Sequence, residues 1–242
     1  MSEFKLPTET IELPSKGLLY PADSELAKGT VEIKYMTAKE EDILTNQSYI
    51  KNGTVLDKLM KSVIVTKINY DDLLVGDKNA IMIASRVLGY GGKYVFEYKG
   101  ETQEIDLSLV ENKELNIDLF NNRKNEFEFS LPFSKNYITF KLLSHKDEQN
   151  IARELEGLKK INKNNSPELS TRLKYMITSV EGKRDTKDIR DFVDNYLLAR
   201  DSRALREYIK EIQPDVDLTF FPDGSNDRVN IPIGLSFFWP DI

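Results

Sequence analysis

The chain of 242 residues has no cysteine, and it contains a single histidine and a single tryptophan. Without cysteine it can form no disulfide, no thiol nucleophile and no cysteine-ligated zinc site. The one histidine, His145, cannot build a zinc centre or the usual nucleophile triad by itself. We therefore expect it to have a surface or capping role, and we predict no metal and no cofactor.

Positive charge is also in short supply. The 34 Lys and Arg residues are outnumbered by 40 Asp and Glu, which gives a net charge of -6. Neutralising nucleic-acid phosphates needs a basic field, so we expect no nucleic-acid partner. No basic stretch precedes an apolar leader, and every apolar run is shorter than the roughly 18 to 20 residues that span a bilayer. We expect a soluble protein of a reducing cytoplasm, without a membrane partner.

What the sequence does contain is an unusually apolar end. The last fourteen residues, Val229–Ile242, include the cluster Phe237-Phe238-Trp239. Chain termini are normally polar, so this stretch needs a partner surface. Two interpretations are open: a strand that returns into the fold, or an aromatic anchor for another subunit.

The N-terminal end is polar, and we predict residues 1–12 to be a flexible arm. Leu13–Pro21 follows, where two prolines bracket a Ser-Lys-Gly turn, so this segment is extended and turned rather than helical. We call it the leading segment. Its apolar side chains, which we expect to lie against the body, are Leu18, Leu19 and Tyr20.

Helices are predicted from capping signals and from apolar residues at three- and four-residue spacing. Thr37 and Glu40 form a capping-box pattern that begins a helix running toward Ile50. Gly89 to Gly92 follows a helix and is predicted to end it, and it is not a phosphate loop. The other predicted helices begin at Thr54, at Asp77 as N-cap, at Lys146, at Ser166-Pro167 through Val180, at Lys187 and at Ser202.

Strands are predicted where apolar residues alternate or where β-branched and aromatic residues cluster. They are Thr30–Met36, a hairpin of Lys93–Tyr98 with Thr102–Leu107, a pair of Phe127–Phe129 with Tyr137–Leu142, and Asp217–Phe221. The fold class is therefore α+β, with amphipathic helices and short antiparallel hairpins. Each half has helices and a hairpin, which permits two lobes, 13–111 and 126–242, with a boundary near 112–125, or one mixed domain.

Few residues suggest chemistry. Asp223, Ser225 and Asp227 imitate part of a calcium loop, but Arg228 and Gly234 occupy the positions that need glycine and glutamate. The helices between Arg184 and Arg203 are rich in carboxylates, and an enzyme could draw an acid/base pair from them. Alternating charges on a helix are more often a solvated face. A small cytoplasmic enzyme or regulatory adaptor using these helices remains the alternative.

The order of several motifs resembles one protein family. They are the leading segment, Met36–Leu44, Leu74–Asp77, Arg86–Gly91 and the end Phe237–Pro240. Together they are similar to the baseplate hub subunits and hub assembly proteins of T-even-like contractile-tailed bacteriophages. The resemblance covers most of the chain and is dense in residues 11–100 and 185–242. No single motif is diagnostic, and the order carries the likeness.

The resemblance implies a non-catalytic structural or assembly protein of the tail baseplate hub, so no catalytic residue is assigned. It implies other tail or hub proteins as partners, and it is compatible with self-association. The implied location is the host cytoplasm during assembly and the virion tail baseplate. Many members carry Cys-x-x-Cys pairs at the turns that here are Lys99-Gly100 and Pro222–Arg228. This chain has none. Packing or shorter turns must replace that closure, and zinc is not carried over.

The resemblance also bears on the apolar end. It places a hairpin there, and Asp217–Phe221 with its polar turn offers a pairing partner. We therefore favour Val229–Leu235 as an internal strand. The residues predicted to contact a partner are Phe237, Phe238, Trp239, Pro240, Leu18, Leu19 and Tyr20.

Overall fold

The structure, a computed structural model, describes residues 6–120, 122–161, 167–222 and 228–238. Helices and short antiparallel strands follow one another along this part of the chain, which confirms the predicted α+β class. The helices are α1 (Ala38–Leu44), α2 (Gln47–Lys51), α3 (Val55–Val63), α4 (Val75–Tyr90), α5 (His145–Ile161), α6 (Glu168–Met176), α7 (Thr186–Asn195) and α8 (Ala199–Ile212). The strands are β1 (Thr8–Glu12), β2 (Thr30–Lys34), β3 (Lys93–Tyr98), β4 (Glu101–Asp106), β5 (Phe127–Ser130), β6 (Tyr137–Phe140), β7 (Ile177–Val180), β8 (Thr219–Phe220) and β9 (Val229–Asn230).

The strands form small antiparallel sheets: β1-β2, β3-β4, β5-β6-β7 and β8-β9. The predicted hairpin around Lys99-Gly100 is confirmed, with Tyr98 opposite Glu101. Both turn residues have a positive φ, 51° and 84°, as a two-residue turn between twisted strands requires. The predicted pairing of Phe127–Phe129 with the strand from Tyr137 is also confirmed.

The predicted helix from Ser166-Pro167 through Val180 is wrong in its last turn. Helix α6 ends at Met176, and Ile177–Val180 is strand β7, which pairs with β6. β-Branched residues favour a strand, and the sheet edge of β6 satisfies their backbone groups. The hydroxyl of Thr139 on β6 reinforces the pairing at 2.7 Å from both Thr178 and Ser179. The predicted cap Ser166 lies outside the described residues.

The predicted helix from Thr37 to Ile50 is two helices. Its start is correct: the Glu40 carboxylate accepts a bond from the Thr37 N–H at 2.9 Å. The break comes at Asn46, whose side chain accepts from the N–H groups of Ser48 and Tyr49 and so begins α2. An Asn side chain competes with the helical backbone in this way.

Asp77 is not the N-cap of α4. The helix begins at Val75 after Leu74, and Asp77 is its third residue and fully buried. Gly76 explains how the first turn fits, because a Cβ at this position would lie 1.9 Å from the Pro214 carbonyl oxygen. The predicted stop is confirmed, since α4 ends at Tyr90 with Gly91 at a φ of 84°.

Both ends of the chain differ from the predictions. Thr8–Glu12 is not part of an arm, because it pairs with β2 along its whole length. Residues 1–5 of the predicted arm lie outside the described residues. The predicted strand Val229–Leu235 is only two residues long, and a 3-10 turn occupies Leu235–Phe238. The strand ends early because Ile231–Leu235 contains Pro232, which lacks a donor for a sheet.

The buried apolar side chains form one continuous cluster. It contains Leu13 and Leu59 from the first half, Phe140 and Leu205 from the second, and Phe237 from the terminal turn. Residues on both sides of the predicted boundary at 112–125 thus share a core. Phe120, inside that boundary segment, is itself buried and packs on Phe127.

Candidate functional site

The leading segment is fastened to helix α4 through Asp77. Ser15 donates its N–H to Oδ1 at 2.9 Å and its hydroxyl to Oδ2 at 2.7 Å, and the Tyr20 hydroxyl donates to Oδ2 at 2.5 Å. The Leu74 N–H, at the start of α4, donates to Tyr20 Oη at 2.9 Å. We call Ser15, Tyr20, Leu74 and Asp77 the Asp77 cluster. It joins segments that are more than fifty residues apart.

Burial governs the electrostatics of this cluster. It raises the pKa of Asp77 above its ordinary value, and the bonds from Tyr20 and Ser15 act in the opposite direction. Burial and the neighbouring Asp77 raise the pKa of Tyr20 as well. A buried carboxyl that is bonded to donors of its own chain can anchor the fold, but its oxygens are occupied and closed to a substrate.

The C-terminal turn is fastened to the other end of α4 through Arg86. Its Nε donates to the Phe237 carbonyl at 2.8 Å, Nη1 to the Gly91 carbonyl at 2.7 Å and Nη2 to the Lys93 carbonyl at 3.1 Å. The Tyr94 hydroxyl donates to the Pro232 carbonyl at 3.0 Å. We call Arg86, Gly91, Lys93 and Phe237 the Arg86 cluster. The planar fork of Arg86 matches three carbonyls that a lysine could not reach together.

The predicted contact residues Phe237 and Phe238 do not reach the surface. Both are 0% exposed, Phe237 lies edge-on against Tyr94 at 5.0 Å, and the two phenylalanine rings meet at 5.5 Å. The prediction that they contact a partner is wrong for these side chains, because the chain buries them in its own core. Trp239 and Pro240 lie outside the described residues.

Two of the three predicted contact residues in the leading segment are also buried. Leu19 and Tyr20 are buried, at 4% and 3% exposure, so they pack against the body and are not available to a partner. Leu18 is half-buried and packs against the core. The expectation that these three residues lie against the body is confirmed, and a partner contact remains open for Leu18 alone.

Of the surface or capping role expected for His145, the structure excludes the surface role. The residue is 3% exposed at the start of α5. Nδ1 lies 3.3 Å from Lys78 Nζ, and Nε2 lies 3.5 Å from Asp57 Oδ2. Lys78 also bonds to Asp57 at 2.7 Å, and the Tyr70 hydroxyl donates to the same carboxylate at 3.2 Å. These four residues form the Asp57 cluster.

This cluster has the composition of an acid/base site, and its histidine is buried while Asp57 and Lys78 are partly exposed. Burial first, and Lys78 next, lower the pKa of His145, so the imidazole is neutral at pH 7. Burial raises the pKa of Tyr70. Lys61 and Lys78 also lie over the Tyr70 ring, at 4.9 and 5.7 Å. Four grooves on the surface are lined by other residues.

Helix α5, which precedes the predicted carboxylate-rich stretch Arg184–Arg203, is joined to α6 and α7 by ion pairs. Arg172 of α6 makes two bonds to Glu148 of α5, at 2.6 and 3.0 Å. Arg190 of α7 makes two to Glu154 of α5, at 2.7 and 2.6 Å. The bond from Arg190 lowers the pKa of Glu154. Paired in this way, Glu148 and Glu154 join helices and are poorly placed to act as acids or bases.

Besides a groove of about 590 Å³ beside the leading segment, two more grooves are large enough for a ligand. One, of about 1170 Å³, runs beside α8 and the β8-β9 hairpin and has charges of both signs, including Lys210, Arg228, Glu207 and Asp217. The other, of about 600 Å³, lies between β1 and α4 and has an apolar floor. We call the second one the β1 groove. No metal-binding group of His, Asp and Glu side chains occurs within the described residues.

Sequence reasoning missed Asp77 and Arg86 as the residues that join distant segments. A signal existed for each: a carboxylate two residues into an apolar helix start, and an arginine within an otherwise apolar helix face. In the described part of the chain, no helix has the length and apolar character needed to cross a membrane. No family model, curated protein or solved structure matches the chain.

Proposed function

We propose that the chain is a non-catalytic structural or assembly protein of a contractile-tail baseplate hub, acting through contacts with other tail or hub proteins. The observation that carries the proposal is the location of the motifs behind the family resemblance. Residues of the leading segment bond to Asp77 of the Leu74–Asp77 motif, and Arg86 of the next motif bonds to Phe237 of the last.

Motifs that bond to one another specify a scaffold. In an enzyme family the recurring residues include those that touch the substrate, and these lie in a pocket. Here the motif residues Asp77, Arg86 and Phe237 are buried against their own chain. Tyr20 is buried as well, although its edge lines a groove together with Leu74. Motif residues that hold their own chain together favour a protein that works by its shape and its surface.

The test is a deletion in the phage whose genome encodes the chain. We expect heads and sheath protein to accumulate without finished tails, and we expect the wild-type chain supplied in trans to restore them. The protein should also co-sediment with tail or hub intermediates. Normal tails after the deletion would contradict the proposal.

The alternative, a small enzyme or regulatory adaptor, is favoured by one observation, the Asp57 cluster. The variant His145→Gln keeps a side chain of similar size and removes the neutral base. Under the assembly proposal, this variant supports tail formation once it is folded. A folded His145→Gln chain that fails to support tails would favour the alternative.

A further inference from the structure

Strand β1 has one bonded edge and one open edge. Its partner β2 takes the first edge, where the Leu13 N–H continues the ladder by donating to the Gly29 carbonyl at 2.8 Å. In an antiparallel pair, bonded positions alternate, so the residues between them direct their N–H and C=O groups to the other side. Those residues have no backbone partner within the described ranges, and they are Thr8, Thr10 and Glu12.

The β1 groove gives this edge an apolar floor. Helix α4 contributes side chains at helical spacing to the floor, of which Ala84, Val87 and Leu88 are only half-buried. The volume of about 600 Å³ lies in the range of about 300 to 1,000 Å³ that is usual for binding sites. An extended chain segment fits this combination, because β1 offers hydrogen bonds and α4 offers a surface for alternate side chains.

Asn112 likewise has backbone groups without a backbone partner in the described ranges. Bonds from the Lys113 N–H to Asp215 and from the Asp217 N–H to Glu111, at 2.9 and 2.8 Å, flank Asn112. The N–H and C=O of Asn112 therefore point away from that neighbouring segment. Asn112 is also one of the residues that line the β1 groove.

The charges of the groove indicate the kind of segment. Its charged lining residues are Glu9, Glu12 and Glu111, and it has no lysine or arginine among them. The three carboxylates are exposed and make no ion pair with any described residue. A second copy pairing through its own β1 would bring further glutamates beside these, which like-charge repulsion disfavours. A basic segment is complementary.

We propose that the β1 groove binds an extended, positively charged segment of a partner protein, which adds as a strand to the open edge of β1 and rests apolar side chains on α4. This inference does not depend on the hub role. It needs only the open edge, the apolar floor and the unpaired carboxylates.

The experiment selects binders to the full-length chain from a displayed library of random nine-residue peptides. The first variant is Thr10→Pro, which removes an N–H that faces away from β2 and so spares the bonds of the sheet. Its control is Thr10→Val. The second variant is Ala84→Lys, which fills the floor and adds a positive charge. Its control is Ala152→Lys, at an exposed position of α5.

We expect peptides with net positive charge and alternating apolar residues. Thr10→Pro and Ala84→Lys should each weaken their binding by about tenfold or more, as expected when a backbone bond or the apolar contact is lost. The two control variants should bind like the wild type. Peptide binding should also slow hydrogen exchange of the Thr10 amide.

Each other outcome overturns the proposal. If no peptide is selected, the groove does not bind extended segments. If the selected peptides are acidic or neutral, the groove does not prefer positive charge. Peptides that bind Thr10→Pro and Ala84→Lys as tightly as the wild type would bind outside the β1 groove. Self-association of the wild type that Thr10→Pro abolishes would assign the groove to a second copy. Circular dichroism of every variant ensures that weaker binding reflects the groove and not unfolding.

Discussion

Glu40 provides the sharpest test of how the first half is held together. Its side chain is 0% exposed and joins three elements. Lys34 at the end of β2 donates to Oε1 at 2.8 Å, the Ser62 hydroxyl of α3 donates to Oε1 at 2.6 Å, and the N–H and hydroxyl of Thr37 donate to Oε2. Burial raises the pKa of Glu40, but these bonds outweigh it and lower the pKa to about 2.

The sign and size of the effect follow from this pKa. A carboxyl group with a depressed pKa in the folded state stabilises the fold fully above its unfolded value of 4.5, and the contribution is lost as the pH falls toward 2. The difference between the two values corresponds to about 3 kcal/mol at neutral pH. At about pH 3, roughly 1 kcal/mol of it remains.

The perturbation is Glu40→Gln, which keeps the side-chain length and removes the charge. We expect the free energy of unfolding at pH 7 to fall by about 2 to 3 kcal/mol, because glutamine retains part of the hydrogen bonding. The gap to the wild type should narrow by about half at pH 3. Urea denaturation followed by circular dichroism measures both. The control is Glu41→Gln, an exposed neighbour on the same helix, which should change little.

Two results would refute this reasoning. If Glu40→Gln has the same free energy of unfolding as the wild type at pH 7, the hydrogen bonds to Lys34, Ser62 and Thr37 make no net contribution to stability. If the loss is the same at pH 7 and at pH 3, it comes from packing or capping and not from the ionised carboxylate.

The remaining predictions concern the two clusters on α4. Asp77→Ala leaves the buried donors of Ser15 and Tyr20 without a partner and should lower the free energy of unfolding by about 3 to 5 kcal/mol in urea denaturation. Because burial raises the pKa of Asp77, the part of its contribution that depends on protonation is present below the ordinary value of 3.8 and is lost as the pH rises through the folded pKa. Asp77→Asn should remove this pH dependence of the free energy of unfolding. Arg86→Lys cannot reach three carbonyls and should cost about 1 to 3 kcal/mol, with limited proteolysis cutting first in the C-terminal turn. Phe237→Ala should cost about 3 to 5 kcal/mol by denaturation, and wild-type stability would contradict its full burial.

Features that depend on neighbouring residues were predictable. The Glu40 bond to Thr37, the hairpin turn at Lys99-Gly100 and the helix end at Gly91 each follow from a few consecutive residues. Their chemistry is local, since a cap or a turn needs only a side chain or a glycine at a fixed offset. Sequence reasoning therefore placed them correctly, with the α+β class.

Features that depend on distant partners were not predictable. Aspartate is a residue type that helix N-caps favour. The hydrogen bonds to the Asp77 carboxylate, however, come from Ser15 and Tyr20, which are far away along the chain. Ile177–Val180 has spacing that suits a helix, but the edge of β6 makes it a strand. In each case a tertiary contact outweighs a local preference of less than about 1 kcal/mol per residue.

The same distinction explains the error about the apolar end. An aromatic cluster indicates that something must cover it, but the sequence does not contain the surface that does so. Arg86 and Tyr94 supply that surface by holding the carbonyls of Phe237 and Pro232, so the rings of Phe237 and Phe238 enter the core. Burial could be inferred, and the choice between an internal and an external partner could not.

A consequence for partner binding follows from where the motifs lie. Substitutions in the Asp77 and Arg86 clusters act on stability, since Asp77 and Arg86 are buried and hydrogen-bonded within the core. Substitutions along the open edge of β1 leave the core intact and act on binding. A chain with Thr10→Pro should therefore denature like the wild type and lose a partner, whereas Asp77→Ala should lose stability first. If both variants lost binding and stability in parallel, the β1 groove would be part of the scaffold and not a separate surface.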